Sequence, residues 1–251
     1  MSNWLAGAKV IFGRDGGPML GGPRKVVWHT TENDPTRTTA ANVAHYLVGT
    51  GNTVHLVWNP DTDEIVQMIP ANRAGRGLEN HLGGVETNRA GAVVVQIEVV
   101  GRASQPFTSG PLLGLPKILA WLASLGIPPV WVGTENRSVA NWAKAGHFGH
   151  MDVPENSHTD PGRVDKAKLA KAPAVTGSPV RGPFPLPVGK AYRVGSTGWG
   201  VYEIQQLVGA QPDRNYGPVT AAKVAAWTKA HGPYPSPSVN KQIWDFMSHY
   251  K

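Results

Sequence analysis

The sequence predicts an α/β domain, a central mixed sheet flanked by helices, followed by a small all-α domain of three helices. Three observations predict it. Residues 92–100 read Ala-Val-Val-Val-Gln-Ile-Glu-Val-Val, a run apolar on both faces that belongs in the middle of a covered sheet. Strand-like segments are interspersed with two helix-period segments through the first 125 residues. A proline-rich stretch then separates off a tail that carries three short helical patterns.

Taken in order, residues 25–29 form a short apolar run that ends in the polar Thr30-Thr31-Glu32-Asn33, as a buried strand ends at a loop. Residues 38–47 favour a helix with Ala40, Val43, Ala44 and Leu47 on one face. Residues 53–58 and 64–69 are strand-like and are joined by Asn59-Pro60-Asp61-Thr62-Asp63, which reads as the turn of a hairpin. The 91–100 strand follows, then a helix over 112–125 that stops at Gly126. Between 172 and 190, Pro173, Pro179, Pro183, Pro185 and Pro187 favour an extended spacer. Beyond it, Val201, Ile204, Leu207 and Val208, then Val224 and Trp227, then Ile243, Trp244 and Met247 fall at helical spacing. The boundaries expected are 1–171, 172–190 for the linker, and 191–251.

At 251 residues, with 41% hydrophobic and 16% charged, the chain can bury a core and is not disordered by composition. The absence of cysteine excludes disulfides and thiolate metal sites, so a transition metal must be held by His and carboxylates. The first residues lack the pattern of a secretory signal, and no apolar run reaches the ~20 residues that span a bilayer. The expectation is a soluble monomer, made in a cytoplasm and without membrane insertion, that needs help to act outside. The net charge of +7 favours anionic partners. Nucleic acid is one, but no interleaved basic and aromatic stripe supports it. A bacterial wall rich in carboxylates and phosphodiesters is another.

The chemistry concentrates in Gly149-His150-Met151-Asp152-Val153-Pro154-Glu155-Asn156-Ser157-His158-Thr159-Asp160-Pro161-Gly162, which is polar and rich in turn formers. A catalytic zinc needs three protein ligands and a position left for water. His29, at the end of a strand, can supply one, and His150 and Asp160 two more from a loop that folds back on it. On spacing alone, His29 as a strand cap and Asp160-Pro161-Gly162 as a plain turn remains open. Glu98 is the single carboxylate of an apolar strand, where an unpaired charge is costly. It can be buried against Arg73 or Arg76, or it can face water at a metal site as a proton acceptor.

Three separated segments, Val26-Val27-Trp28-His29-Thr30-Thr31, Gln96-Ile97-Glu98-Val99-Val100-Gly101 and Gly149-His150 through His158-Thr159-Asp160-Pro161-Gly162, resemble the type 2 N-acetylmuramoyl-L-alanine amidases, a family that includes peptidoglycan recognition proteins and many phage endolysins. The resemblance covers about residues 20–170. Gly83-Gly84-Val85-Glu86-Thr87-Asn88-Arg89 and Val153-Pro154-Glu155-Asn156 look most like endolysins of phages that infect actinobacteria. It implies an amidase fold of the recognition-protein type and hydrolysis of the bond between N-acetylmuramic acid and L-alanine in peptidoglycan. It also implies a Zn2+ held by His29, His150 and Asp160, with Glu98 and His158 as catalytic residues. Glu98 matches the acid/base glutamate, and His158 stands where many members carry an oxyanion-stabilising lysine. Where some members have a tyrosine before a histidine, this chain has Val54 before His55. The tyrosine's role is then vacant or passed to His55, whose simpler use is to orient a neighbour. His45, His81 and His147 are expected at the surface or just outside the site.

In the tail, Asp213-Arg214-Asn215-Tyr216-Gly217-Pro218-Val219-Thr220 and the segments on either side resemble a three-helix peptidoglycan-binding domain, with Arg214 in place of a usual glycine. Asp213 and Tyr216 are its candidate substrate-binding residues. The alternatives are a helical tail packed on the main domain, a non-catalytic recognition protein on the same fold, and an amidase that recycles soluble muropeptides in the cytosol.

Overall fold

The computed structural model describes residues 2–171, 186, 189–211, 213–232 and 235–247. Most of the expected 172–190 linker therefore lies outside the described residues. The chain divides into two compact units, one within 2–179 and the other within 180–251.

The first unit is built on a six-stranded mixed sheet. Its elements run β1 (Lys9–Val10), β2 (Lys25–Thr30), α1 (Ala40–Thr50), β3 (Leu56–Asn59), β4 (Glu64–Gln67), β5 (Val94–Val99), α2 (Leu115–Ser124), α3 (Val139–Trp142), β6 (Gly146–Gly149) and α4 (Lys166–Leu169). In space the order is β1-β4-β3-β5-β2-β6. Only the β3/β4 hairpin is antiparallel. The apolar run at 92–100 does form an interior strand: β5 lies between β3 and β2 and is parallel to both.

Side chains alternate across each strand, so the two faces separate cleanly. Val26 and Trp28 of β2 and Val95, Ile97 and Val99 of β5 join Leu115, Ile118, Leu119 and Leu122 of α2 in the largest core cluster. The other face carries Val27, Val94 and Phe148, packed with Trp142. His29 and Glu98 fall on this second face by alternation, and they are register partners in the parallel β2/β5 pair. Over β3 and β4 the second face is covered by α1, through Ala40, Val43, Ala44 and Leu47 against Val57, Val66 and Met68.

Local signals fix α1. Thr39 caps its N-terminus by accepting from the Asn42 amide, and Gly51 closes it at φ 77° with its N–H on the Leu47 carbonyl. Glu64 at the start of β4 accepts from the amides of Ala40 and Ala41, satisfying two more of the helix's free donors. The helix that lines one wall of the site is thus tied to the hairpin.

Two histidines hold the sheet together in their neutral form. His55 is fully buried; its Nδ1 accepts from the Gln96 amide at 3.0 Å, and its Nε2–H donates to the Arg73 carbonyl at 2.8 Å. Both ring nitrogens are committed to backbone. His147, expected near the surface or the site, is instead buried in β6, where Nδ1 accepts from Trp28 Nε1–H at 3.2 Å. Alternation puts it on the sheet face opposite His29. The sequence hid this because β6 is four residues with glycine at both ends, stabilised by pairing with β2 rather than by local pattern.

Burial pushes both rings down to about 4, against 6.5 for a free imidazole; the Arg73 carbonyl and Asp15 pull the other way at His55. The unfolded chain takes up protons near pH 6.5, whereas the folded chain resists until about 4. Stability is therefore full above 6.5 and falls as the pH drops from 6.5 towards 4, by on the order of 3 kcal/mol per ring at most. His147→Gln keeps an acceptor for Trp28 without titrating. With chelator present, thermal unfolding between pH 7 and 4 is expected to show one proton less of dependence in that variant. An unchanged slope would remove His147 as a source.

The second unit contains α5 (Trp199–Val208), α6 (Pro218–His231) and α7 (Lys241–Met247), the three helices expected from the sequence. Val201, Ile204, Val208, Val224, Ile243, Trp244 and Met247 form its core with Tyr192, Tyr216 and Val239. No helix among the described residues is long and apolar enough to cross a membrane.

Candidate metal and catalytic centre

β2 and β6 are parallel neighbours, so their carboxyl ends deliver chain to the same edge of the sheet. β2 delivers His29 there. β6 runs into a short 3-10 turn, His150–Asp152, that begins with His150. Asp152 holds this turn: its Oδ2 accepts from the Gly149 amide at 2.7 Å, and its Oδ1 from the Glu135 amide at 2.6 Å. The chain then loops back so that Asp160 Oδ2 accepts from the Thr30 amide at 3.2 Å, beside His29. Gly149 makes this return possible, because a Cβ there would lie 2.7 Å from Pro161 Cδ.

His29, His150 and Asp160 are all buried and converge. The two Nδ1 atoms are 3.0 Å apart, His150 Nδ1 is 3.2 Å from Asp160 Oδ1, and His29 Nδ1 is 3.5 Å from Asp160 Oδ2. Ligand atoms at about 2.0–2.1 Å from one tetrahedral ion stand roughly 3.3 Å apart, so the three spacings fit a single ion. The protonation states fit as well. Burial, then the neighbouring His150, pushes His29 down to about 4, leaving it neutral with a lone pair to give. Burial works to raise Asp160, but hydrogen bonds and charge from His150 and His29 outweigh it and hold the carboxylate well below its usual range. Two imidazoles and a carboxylate are a donor set suited to a divalent cation. His29 Nε2 is buried without a hydrogen-bond partner among the described residues.

Two members of the cluster, His150 and Asp160, line a cavity of about 900 Å³. Its lining includes Thr38, Asn42, Val43 and Tyr46 from the α1 region, the lip segment Arg76 to Glu79, and Glu98, His150, His158 and Asp160. Glu98 is half-buried, and its Oε2 is enclosed without a hydrogen-bond partner among the described residues. Burial first, then the charges of Asp160 and Glu32, push this carboxyl up to about 8. The basic partners considered from sequence are engaged elsewhere: Arg73 pairs with Asp15 at 3.0 Å, and Arg76 Nε donates to the Gly51 carbonyl. His158 stacks on His150 with ring centroids 4.5 Å apart, and with its side chain 58% exposed it reaches solvent at the rim.

Not every candidate comes together. His55 bonds backbone through both ring nitrogens, as expected of a histidine that orients its neighbours. His45 and His81 are exposed, as expected. In the second unit, Tyr216 is a core residue at 1% exposure, with its hydroxyl donating to the Pro237 carbonyl at 2.9 Å. Its ring is packed in the core of the unit rather than at its surface. Asp213 is exposed, but its Oδ1 accepts from Gln205 Nε2 and the Asn215 amide, which shapes the loop. Two residues missed from sequence bear on the cavity. Glu32, at φ 57°, accepts from Thr30 Oγ1 and the Ala103 amide. Asn156 contacts His150 from behind. Their partners are set by tertiary contact, and no spacing in the chain announced them.

A mixed sheet that brings His29, His150 and Asp160 together, with Glu98 beside His29 on the next strand, defines an α/β protein with a candidate metal-binding cluster next to a half-buried carboxyl. Residues 19–163 match the N-acetylmuramoyl-L-alanine amidase family, and the chain belongs to that family. All four of these residues fall inside the matched region. Among solved structures the chain is similar to the Staphylococcus aureus hydrolase AmiA, at 18% identity over 63% of this chain and 75% of that one, with a TM-score of 0.44. It is also similar to the endolysin amidase LysCS from Clostridium intestinale URNW, at 16% identity over 67% and 95% of the two chains and a TM-score of 0.39. A third is the Ph2119 endolysin from Thermus scotoductus MAT2119 bacteriophage Ph2119, at 19% identity over 64% and 88% and a TM-score of 0.39. No curated protein matches the chain.

Proposed function

We propose that the chain is a zinc-dependent amidase that cleaves the bond between N-acetylmuramic acid and L-alanine in peptidoglycan, acting as a phage endolysin. The observation that carries this reading is the convergence of His29, His150 and Asp160 next to Glu98, inside the region matched to the amidase family.

Bound by His29, His150 and Asp160, zinc supplies Lewis acidity, which polarises a carbonyl and acidifies water. The protein's own groups do the rest. Glu98, whose Oε2 is buried without a partner among the described residues, takes a proton from the attacking water in its ionised form and returns it to the L-alanine nitrogen as the amide breaks. His158, at the open rim, donates a hydrogen bond to the developing oxyanion. The α1 wall and the Arg76–Glu79 lip hold the glycan and peptide on either side. The helical second unit serves as a wall-binding module, which raises the enzyme's effective concentration on an insoluble substrate.

Mass spectrometry of digested, purified wall tests the reaction. The expected products carry new L-alanine amino termini and no new reducing sugars. Wall that binds the protein but releases no amines would point to a recognition protein instead, and cleavage confined to soluble muropeptides would point to recycling.

A further inference from the structure

His150 Nε2 lies 2.9 Å from Asn156 Oδ1, and both side chains are buried. An amide can be turned either way, so this contact has a direction only if the other bonds fix it. They do. Asn156 Nδ2 faces the carbonyls of Pro154 at 2.9 Å and Glu79 at 3.3 Å, which only accept. Oδ1 receives the Glu79 amide at 2.9 Å, which only donates. The atom facing His150 is therefore an acceptor, and Nε2 must carry the hydrogen. In the neutral ring the lone pair is then on Nδ1, the atom that faces His29 and Asp160.

We propose that Asn156 is the positioning residue that fixes the tautomer and ring orientation of His150 for metal binding. His29 has no such partner on Nε2 among the described residues, so the burden of orientation falls on the His150 side. The same amide bonds the Glu79 backbone on both sides, so one residue joins the candidate ligand to the lip of the cavity.

The inference rests on the metal reading above, and the experiment separates the two. In the full-length, chelator-treated protein at neutral pH, long-range 1H–15N NMR is expected to show His150 as the Nε2–H tautomer. Asn156→Leu is expected to give a mixture of tautomers. Its zinc affinity, measured by competition with a chromogenic chelator, is expected to fall roughly 10- to 100-fold, and the visible spectrum of its cobalt form is expected to change. An Nδ1–H tautomer in the unsubstituted protein would overturn the proposal, even if the leucine variant failed to fold. So would a leucine variant that binds zinc as tightly as the original. If the unsubstituted protein takes up no zinc, the metal reading fails while the tautomer measurement still decides what Asn156 does.

Discussion

Replacing Glu98 with glutamine is expected to lower release of L-alanine amines from purified wall by roughly 10²–10⁴-fold while leaving metal uptake unchanged. Glutamine keeps the shape of the side chain but cannot accept a proton at neutral pH. Misfolding would not account for the loss. Burial and the nearby Asp160 and Glu32 oppose ionisation of Glu98, so a neutral side chain of the same size suits the position at least as well. Equal or higher thermal stability, with metal content near that of the parent, would accompany the loss. Turnover close to the parent's would take Glu98 out of the mechanism.

The second large effect is expected at Asp160. This carboxylate supplies the anion of the cluster and also ties the returning loop to β2 through the Thr30 amide. Asp160→Ala removes the charge and the tether together, leaving two imidazoles facing each other. The variant is expected to retain no metal after dialysis and to fall to background activity, and His29→Ala is expected to do the same. A thermal-shift titration reads this without any turnover. Zinc added at 100 times its dissociation constant stabilises a binding protein by about 2.7 kcal/mol, so the parent should melt higher with zinc and the alanine variants should not. Variants that still gain stability would show the ion to be held elsewhere.

How much of this was readable in the chain follows from where the information lies. The run at 92–100 announced an interior strand because both its faces are covered by the same kind of core, and Glu98 stood out within it for the same reason. His29 was legible as the polar end of an apolar strand, and the 149–162 segment as a loop with ligand-type side chains. β6 was not legible: Gly146-His147-Phe148-Gly149 becomes a strand because β2 pairs with it on one side and the 130–132 backbone bonds His147 on the other. Nor were the duties of His55, His147 and Asn156. Each depends on which ring nitrogen or amide atom meets which partner, and the Asn156 contacts with Glu79 span 77 residues. The tail's helices could be read from their apolar spacing. The burial of Tyr216 could not, because its ring packs in a core drawn from all three helices.

The parallel pairing of β2 with β6 has a consequence for when activity can arise. His29 and His150 are 121 residues apart, and Asp160 lies further still. A chain emerging from the ribosome passes most of the first unit before the last ligand exists, and only then can the distant ends close on each other. Fragments that stop short of residue 160 would lack one candidate ligand, so the cluster can form only from a chain made almost to the end of the amidase region.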